Sequence, residues 1–424
     1  MIKIFKDGIK TEEILNREIE SYSEFENTVD EIIKDVIKNG DEALLRYTRK
    51  FDCPTLESIE VSREEIDKAY DRLDEGFKNI LKEARKNIED FHRKQLREGF
   101  RLEKDGGIVL GQKFTPIKRV GIYVPGGTAA YPSTVLMNAI PAYIAGVKEI
   151  IMVTPAGKDG SVKDEILAAA KLCGVTRVFR IGGAQAVASL AFGTETVPKV
   201  HKIVGPGNIF VALAKKRVFG TVSIDMIAGP SEILVIADEK ANPKFLAADL
   251  LSQAEHDRLA SAVLVTNSLS LAPAVSEELE RQIPLLERAD IARHSIDNQG
   301  KIIVTESIEK AIEISNEIAP EHLEVCLDEP FKYLDEIENA GSIFLGKYSP
   351  EPLGDYFAGP NHTLPTSGSA KFSSPLSVDD FVKKSSFIYY TEEKLKESSE
   401  KIAEFASREG LTAHAKSVTI RFED

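Results

Sequence analysis

The sequence predicts an α/β protein with two Rossmann-like α/β domains, each built on an incomplete parallel sheet, plus a small N-terminal arm and a C-terminal helical tail domain. Short apolar strands alternate with helical segments between residues 120 and 345, which is typical of parallel sheets covered by helices. Several of these strands end in glycine or proline turns, where parallel sheets bind ligands. A chain of 424 residues is also too long for one core, so we expect two or three globular units.

Composition narrows the class of protein. Hydrophobic residues make up 42% and charged residues 29%, the balance of a globular protein in water. A formal net charge of −14 with no arginine-rich run argues against nucleic acid as a partner. No apolar run approaches the length of a membrane span, and the amino terminus lacks a signal-peptide core. Three scattered cysteines are too few for a disulfide framework. A cytoplasmic enzyme fits, and a non-catalytic binding protein stays open.

The first half of the chain changes periodicity near residue 120. Residues 1–22 are polar and predict an arm, and residues 23–98 have a helical pattern in which Val29, Ile32 and Val36 share one face. His92 is predicted on a solvated helix face. Strands follow, each ending in a turn such as Gly126-Gly127; they are predicted at 120–124, 150–153, 177–181 and 201–204.

The second half predicts another parallel set, followed by a long loop and a tail. Its strands are predicted at 233–237, 262–266, 301–305, 322–327 and 342–345. Residues 341–375 hold five glycines and five prolines, which predicts a long functional loop carrying Asp355 and His362. The tail is predicted to be helical, with a short strand at 417–421. The predicted domains are 1–22, 23–122 with 232–375, 123–231, and 376–424.

A helix at 246–257 places two polar residues on an apolar stripe. Asn242 is its predicted cap and Pro243 its first residue. At 100° per residue, Gln253 and His256 lie about 60° apart at the end of the stripe. A metal would satisfy both side chains, but this pair alone favours the alternative, a helix end where the stripe meets water.

An adjacent carboxylate and imidazole, Glu321 and His322, follow Pro320 at the entrance to a predicted strand. Such a pair could act as acid and base, or could lie on a surface loop. In an extended backbone the two side chains would point to opposite sides. Cysteine catalysis is disfavoured, because Cys173 and Cys326 lie in apolar segments where cysteine behaves as a small hydrophobe.

Several motifs together resemble the histidinol dehydrogenase family, in family order from about residue 30 to the end. The matching stretches are Val120-Gly-Ile-Tyr-Val-Pro-Gly-Gly127, Ile181-Gly-Gly-Ala-Gln-Ala186, Val204-Gly-Pro-Gly-Asn208, Ala228-Gly-Pro-Ser-Glu232, Asp249-Leu-Leu-Ser-Gln-Ala-Glu-His256, Pro320-Glu-His322, Gly354-Asp355, Gly359-Pro-Asn-His362 and Leu411-Thr-Ala-His414. Residues 128–133 match more loosely.

The resemblance implies oxidation of L-histidinol to L-histidine with two NAD+, the last steps of histidine biosynthesis. It implies acid/base roles for Glu321 and His322, and a less secure substrate-side role for His362. It also implies a homodimer in which the carboxyl-terminal domain reaches the partner's active site. The remaining implied ligand sets are one zinc ion per subunit on Gln253, His256, Asp355 and His414; NAD on Tyr123, Gln185 and Asn208; and substrate on Ser231, Gln253, His256, His322, Asp355, Glu409 and His414.

A mechanism follows from these implied roles. Zinc would bind the amino and imidazole nitrogens of histidinol and fix the substrate. His322 would be the base in both hydride transfers, through L-histidinal, and Glu321 would activate the attacking water. The alternatives are a zinc hydrolase, a dehydrogenase of a related amino alcohol, and a non-catalytic α/β binding protein.

Overall fold

The chain was analysed as a computed structural model that describes residues 1–6, 14, 23–126 and 130–423. It divides into two compact units: residues 1–95 with 117–381, and residues 96–116 with 382–424. Gly127 and most of the predicted N-terminal arm lie outside the described residues. The four domain boundaries predicted from the sequence therefore stay predictions. Among the helices described, none is both long and apolar enough to span a bilayer.

The first sheet of the larger unit contains the strands predicted between residues 120 and 204. In spatial order its strands are β2 (Glu60–Val61), β7 (Arg177–Phe179), β6 (Glu149–Val153), β5 (Arg119–Tyr123), β8 (Lys202–Val204) and β9 (Ser223–Ile224). All pairs are parallel except β2 with β7. The helices of this region are α1 (Ser23–Phe51), α2 (Arg63–Arg72), α3 (Glu75–Arg93), α4 (Pro132–Ile144), α5 (Asp164–Leu172), α6 (Gly183–Phe192) and α7 (Ile209–Val218).

The second sheet is parallel throughout and carries the candidate acid/base pair. Its spatial order is β1 (Lys3–Lys6), β12 (Lys301–Val304), β11 (Ser261–Thr266), β10 (Glu232–Ala237), β13 (His322–Cys326) and β14 (Ser342–Leu345). The helices are α8 (Pro243–Ala254), α9 (Leu271–Gln282), α10 (Ala289–Asn298), α11 (Ile308–Ile318) and α12 (Glu351–Tyr356). Apolar side chains alternate between two cores, one on each face of the sheet. The predicted α/β class with parallel sheets is confirmed.

The smaller unit is an antiparallel sheet with two helices. Its strands are β3 (Phe100–Lys104), β4 (Ile108–Pro116) and β15 (Val382–Tyr389), with β4 in the middle. The helices are α13 (Glu392–Arg408) and α14 (Thr412–Thr419). The predicted strand at 417–421 is wrong, because α14 continues into a 3-10 turn at Ile420–Phe422. The tail is also less helical than predicted, since it begins with β15.

Three further expectations are corrected. Residues 3–6 form an edge strand paired with β12, so part of the predicted arm belongs to the second sheet. The long loop contains the short helix α12. His92 is buried rather than solvated, because it continues the apolar stripe of α3 one turn after Ile88, whose carbonyl lies 2.8 Å from its Nδ1.

A buried ion pair supports the glycine turn after β8. Gly205 has φ +110°, and a Cβ there would lie 2.1 Å from the carbonyl oxygen of Tyr123, so only glycine fits this close approach. Lys215 Nζ pairs with the buried carboxylate of Asp225 and donates to the Gly205 carbonyl at 3.0 Å. The same carboxylate accepts from Gly205 N at 2.7 Å. The pair therefore holds the turn against the end of β5.

Lys215→Met is expected to lower the free energy of unfolding by about 3 kcal/mol or more, because it leaves Asp225 buried without its cation. Urea unfolding of the variant and wild type at pH 7 measures this loss. Lys216→Met is the matched control, since Lys216 is exposed and its ion pair with Glu26 spans 3.4 Å at the surface. We expect the control to cost under about 1 kcal/mol. Equal losses in the two variants would contradict a structural role for the buried pair.

Candidate active site

The imidazole of His322 is buried at the first position of β13, with its two nitrogens in different surroundings. Nδ1 lies 3.0 Å from the carbonyl oxygen of Glu232 on the neighbouring strand β10. A carbonyl can only accept, so the neutral ring carries its proton on Nδ1. Nε2 has no hydrogen-bond partner among the described residues, and burial lowers the pKa of His322 to about 4. The ring is therefore a neutral base at pH 7, with its lone pair on Nε2.

Glu321 is held by the backbone of the same residue, Glu232. Its Oε2 accepts the backbone N–H of Glu232 at 2.9 Å and lies 3.7 Å from His322 Nδ1. The two side chains thus meet at the backbone of β10 rather than diverging, because Glu321 lies just before the strand begins. Burial raises the pKa of Glu321 well above its ordinary value; the hydrogen bond from the Glu232 N–H opposes this shift, and the charges of Glu232 and Asp355 add to it. Glu321 is therefore a far stronger base than an exposed glutamate.

Two carboxyl groups from α12 approach Nε2 of His322. Glu351 Oε1 lies 3.9 Å from it and Asp355 Oδ1 lies 4.0 Å from it. Oxygens of the two carboxyls lie within 4.8 Å of each other, and burial raises the pKa of Asp355 to about 6 and that of Glu351 to about 8. His362 Nδ1 lies 3.7 Å from Asp355 Oδ1. These groups form a compact set of oxygen and nitrogen donors suited to a cation or to a substrate amine.

The end of α8 contributes Gln253 and His256. Asn242 caps this helix by accepting from Lys244 N at 3.0 Å, and Pro243 is its first residue, as predicted. Gln253 is buried, and its Oε1 has no partner in the described part of the chain. His256 follows the last helical residue and is exposed. The helix therefore ends between the two residues, so that Gln253 is buried and His256 is exposed.

Two of the predicted substrate residues belong to the smaller unit. Glu409 caps α13 at its carboxyl end, and His414 lies in the first turn of α14. Both side chains are exposed. Ser231, in the larger unit, immediately precedes β10 and is partly buried; its carbonyl accepts from Ser261 N at 2.9 Å.

The three predicted NAD residues lie at the carboxyl ends of strands in the first sheet. Tyr123 is the last residue of β5, and its hydroxyl accepts the N–H of Gly183 at 3.0 Å. Gln185 is buried in α6, which follows β7, and Asn208 follows β8. Asn208 caps α7 by accepting from Phe210 N and Val211 N. This edge of a parallel sheet is where nucleotides bind in related architectures.

A cavity of about 320 Å³ opens beside His322. Asp355 and His362 form part of its wall, and Phe344 and Leu353 provide an apolar part. Its size falls within the range of small-molecule pockets, which begins at roughly 300 Å³.

The sequence predicts no role for three buried residues, Glu351, Glu324 and Asn361, of which Asn361 lines this cavity. Glu351 lies between two prolines without a periodic pattern, and Glu324 reads as a polar residue within an apolar strand. Asn361 is buried and donates to the carbonyl of Met137 at 2.6 Å, which joins the long loop to helix α4. The only sequence signal for Glu324 is a charged residue in a run of otherwise apolar residues.

The fold and this site define an α/β enzyme whose reactive groups gather at the ends of parallel strands. The family model for histidinol dehydrogenase matches residues 15–422, so the chain belongs to the histidinol dehydrogenase family.

Individual relatives agree with this assignment. A histidinol dehydrogenase of Clostridium acetobutylicum is 57% identical over 428 residues, covering 100% of this chain and 99% of that protein. One of Bacillus cereus is 55% identical, covering 99% of this chain and 98% of the relative. The crystal structure of histidinol dehydrogenase from Elizabethkingia anophelis superimposes with a TM-score of 0.94 at 39% identity, covering 99% and 98% of the two chains.

Proposed function

We propose that the chain oxidises L-histidinol to L-histidine through L-histidinal, with two NAD+ accepting the four electrons. The observation that carries this proposal is the neutral, buried His322, whose unpartnered Nε2 lies beside Asp355 and Glu351. Membership of a family named for this dehydrogenase supplies the substrate. Overall, one alcohol, one water and two NAD+ give one carboxylate, two NADH and three protons.

His322 acts as the base in both oxidation steps. Its Nδ1–H donates to the Glu232 carbonyl, so Nε2 takes the proton from the substrate hydroxyl as a hydride leaves the adjacent carbon. In the second step Nε2 takes a hydroxyl proton from the aldehyde hydrate. Because burial keeps the pKa of His322 near 4, the ring readily releases this proton to solvent and returns to its neutral form.

Glu321 activates water for the conversion of the aldehyde into its hydrate. A carboxylate with a raised pKa takes a proton from water more readily than an ordinary glutamate. The water oxygen bonds to the aldehyde carbon as the C=O π bond breaks, and the carbonyl oxygen takes up a proton to complete the hydrate. The N–H of Glu232 orients the carboxylate through a 2.9 Å hydrogen bond. A cysteine adduct of the aldehyde is disfavoured, because burial raises the pKa of the Cys173 thiol to about 12.

The donor set of the larger unit fits a zinc ion. Gln253 Oε1 is buried without a partner among the described residues, and Asp355 lies in the same cluster as His322. Gln253, His256 and Asp355 would hold the ion, with His414 of the partner subunit as the fourth ligand; nitrogen and oxygen donors without thiolate suit this metal. When bound, zinc would hold the amino and imidazole nitrogens of the substrate and so orient its hydroxyl. Substrate contacts would include Ser231 and Glu409, with His362 beside Asp355.

Tyr123, Gln185 and Asn208 would contact NAD+, the hydride acceptor. The support is their common position at the carboxyl ends of β5, β7 and β8. Asn208 also opens helix α7, where backbone N–H groups favour phosphate.

A homodimer with shared active sites is supported by the smaller unit. Its strand β15 is exposed along most of its length, including Phe387, Ile388 and Tyr389, and α13 exposes Phe405. Exposed apolar side chains in such numbers are typical of surfaces that a partner covers. His414 and Glu409 are exposed in the same unit, so the tail of one subunit would complete the site of the other.

The cytoplasmic location remains a prediction.

The decisive experiment supplies purified protein with L-histidinol and NAD+ and measures NADH and histidine together. We expect two NADH for each histidine formed, and exhaustive chelation should abolish turnover until zinc is restored. A zinc hydrolase or a non-catalytic binding protein would form no NADH. Faster oxidation of another amino alcohol than of L-histidinol at equal concentration would identify the chain as a dehydrogenase of that related substrate.

A further inference from the structure

Two buried carboxyl groups lie behind the active site without a role in the chemistry above. Glu324 lies on β13 two residues after His322, so both side chains point to the same face of the sheet. Glu324 is 1% exposed, and one of its carboxyl oxygens lies within 4.8 Å of a carboxyl oxygen of Asp249 on α8. Burial raises the pKa of both carboxyls, that of Asp249 to about 6, and the charge of Asp249 adds to the shift of Glu324.

Glu324 also holds the start of α12. Its Oε1 accepts the backbone N–H of Glu351 at 2.7 Å. The first N–H groups of a helix have no partner within the helix, and α12 has only six residues, so it depends on outside contacts for its position. A second contact, from Ser252 Oγ on α8 to Glu351 Oε2 at 3.2 Å, ties the same point to the neighbouring helix.

Glu324 therefore joins three elements, each of which carries a proposed active-site residue. β13 carries His322, α8 carries Gln253 one turn after Asp249, and α12 carries Asp355 one turn after Glu351. We propose that the Asp249–Glu324 carboxyl pair is a positioning element that sets α12, and with it Asp355, relative to His322 and Gln253. The consequence for metal binding rests on the proposed function; the consequence for α12 does not.

Replacing Glu324 in two ways separates its hydrogen bonds from its charge. Glu324→Gln keeps an acceptor for Glu351 N and gains an amide that can donate to Asp249, so it removes the charge and preserves both contacts. Glu324→Leu removes both. Amide hydrogen exchange of residues 351–356 should be about tenfold faster in Glu324→Leu and near the wild-type rate in Glu324→Gln.

Zinc affinity, measured by chelator competition on the folded dimer, provides the second measurement. We expect Glu324→Leu to weaken binding about 10- to 100-fold, the usual effect of losing a group that orients a ligand, and Glu324→Gln to stay within about threefold. Leu323→Ala is the matched control, since Leu323 is the preceding residue on β13 and packs in the core on the opposite face. It should lower stability with little change in zinc affinity.

The proposal is overturned if Glu324→Leu keeps wild-type exchange of residues 351–356, or if Leu323→Ala weakens zinc binding as much as Glu324→Leu does. A wild-type protein without zinc affinity would refute the proposed function, and the exchange experiment would still decide the role of the pair. Should Glu324→Leu fail to fold, the partly exposed Asp249 offers a second comparison. Asp249→Asn keeps a donor for Glu324 and should preserve slow amide exchange of residues 351–356, whereas Asp249→Ala should make that exchange faster. Equal exchange rates in the two variants would refute the positioning role of the Asp249–Glu324 pair.

Discussion

His322→Asn is expected to lower the rates of both oxidation steps by about 10² to 10⁴-fold, the range observed when a general base is removed. Asparagine can keep a hydrogen bond to the Glu232 carbonyl, but it has no basic nitrogen in the place of Nε2. The measurement uses L-histidinol and L-histidinal as separate substrates and follows NADH in each. A near-normal rate with either substrate would remove His322 from the role of base in that step.

Glu321→Gln separates the two steps. Its amide cannot activate water, so oxidation of L-histidinal should slow much more than the first oxidation of L-histidinol. For His322→Asn, the control for the loss of a histidine is His201→Asn, because His201 is exposed just before β8 and has no proposed role. Equal slowing of both steps by Glu321→Gln would indicate that Glu321 orients His322 rather than activating water.

Mixing His256→Asn and His414→Asn subunits is expected to restore activity that neither variant has alone. In a mixed dimer, one site combines the intact His256 of one subunit with the intact His414 of the other, while the second site lacks both. Random pairing of equal amounts makes about half of the dimers mixed, each with one working site, so about a quarter of wild-type activity should return.

A double variant with both changes in the same subunit provides the control for this experiment. The double variant His256→Asn/His414→Asn mixed with wild type makes dimers in which every site of the mixed species lacks one ligand, so no gain above the wild-type dimers is expected. Dimers separated by distinct affinity tags confirm that mixing occurred. Absence of recovery in verified mixed dimers would place His256 and His414 in the same subunit's site or outside it.

The sequence predicts the central strands well for a physical reason. Strands buried on both faces of a parallel sheet read as continuous apolar runs, and β10 and β11 are entirely buried. The sheet of the smaller unit was not predicted, because β3 reads Phe-Arg-Leu-Glu-Lys and is exposed throughout, with neither an apolar run nor a buried face. The β-branched residues near 417–421 suggested a strand, but that segment extends a helix that packs on α13.

The site shows a similar division. Glu321, His322, Gln253 and Asp355 stood out as motif residues, and the fold places them in the larger unit. Glu351 and Glu324 could not be predicted, because their roles depend on a backbone N–H and on a carboxyl 75 residues away along the chain, at Asp249. Such contacts leave no spacing or periodicity for sequence analysis to detect.

Glu321 and His322 both contact the main chain of Glu232. Glu321 accepts from its N–H, and His322 donates to its carbonyl oxygen. Every amino acid except proline supplies both groups. A substitution at position 232 by any residue other than proline can therefore alter local packing but leaves both backbone groups that hold the acid/base pair. Over evolutionary time, this part of the machinery is protected from point mutation by the peptide bond itself.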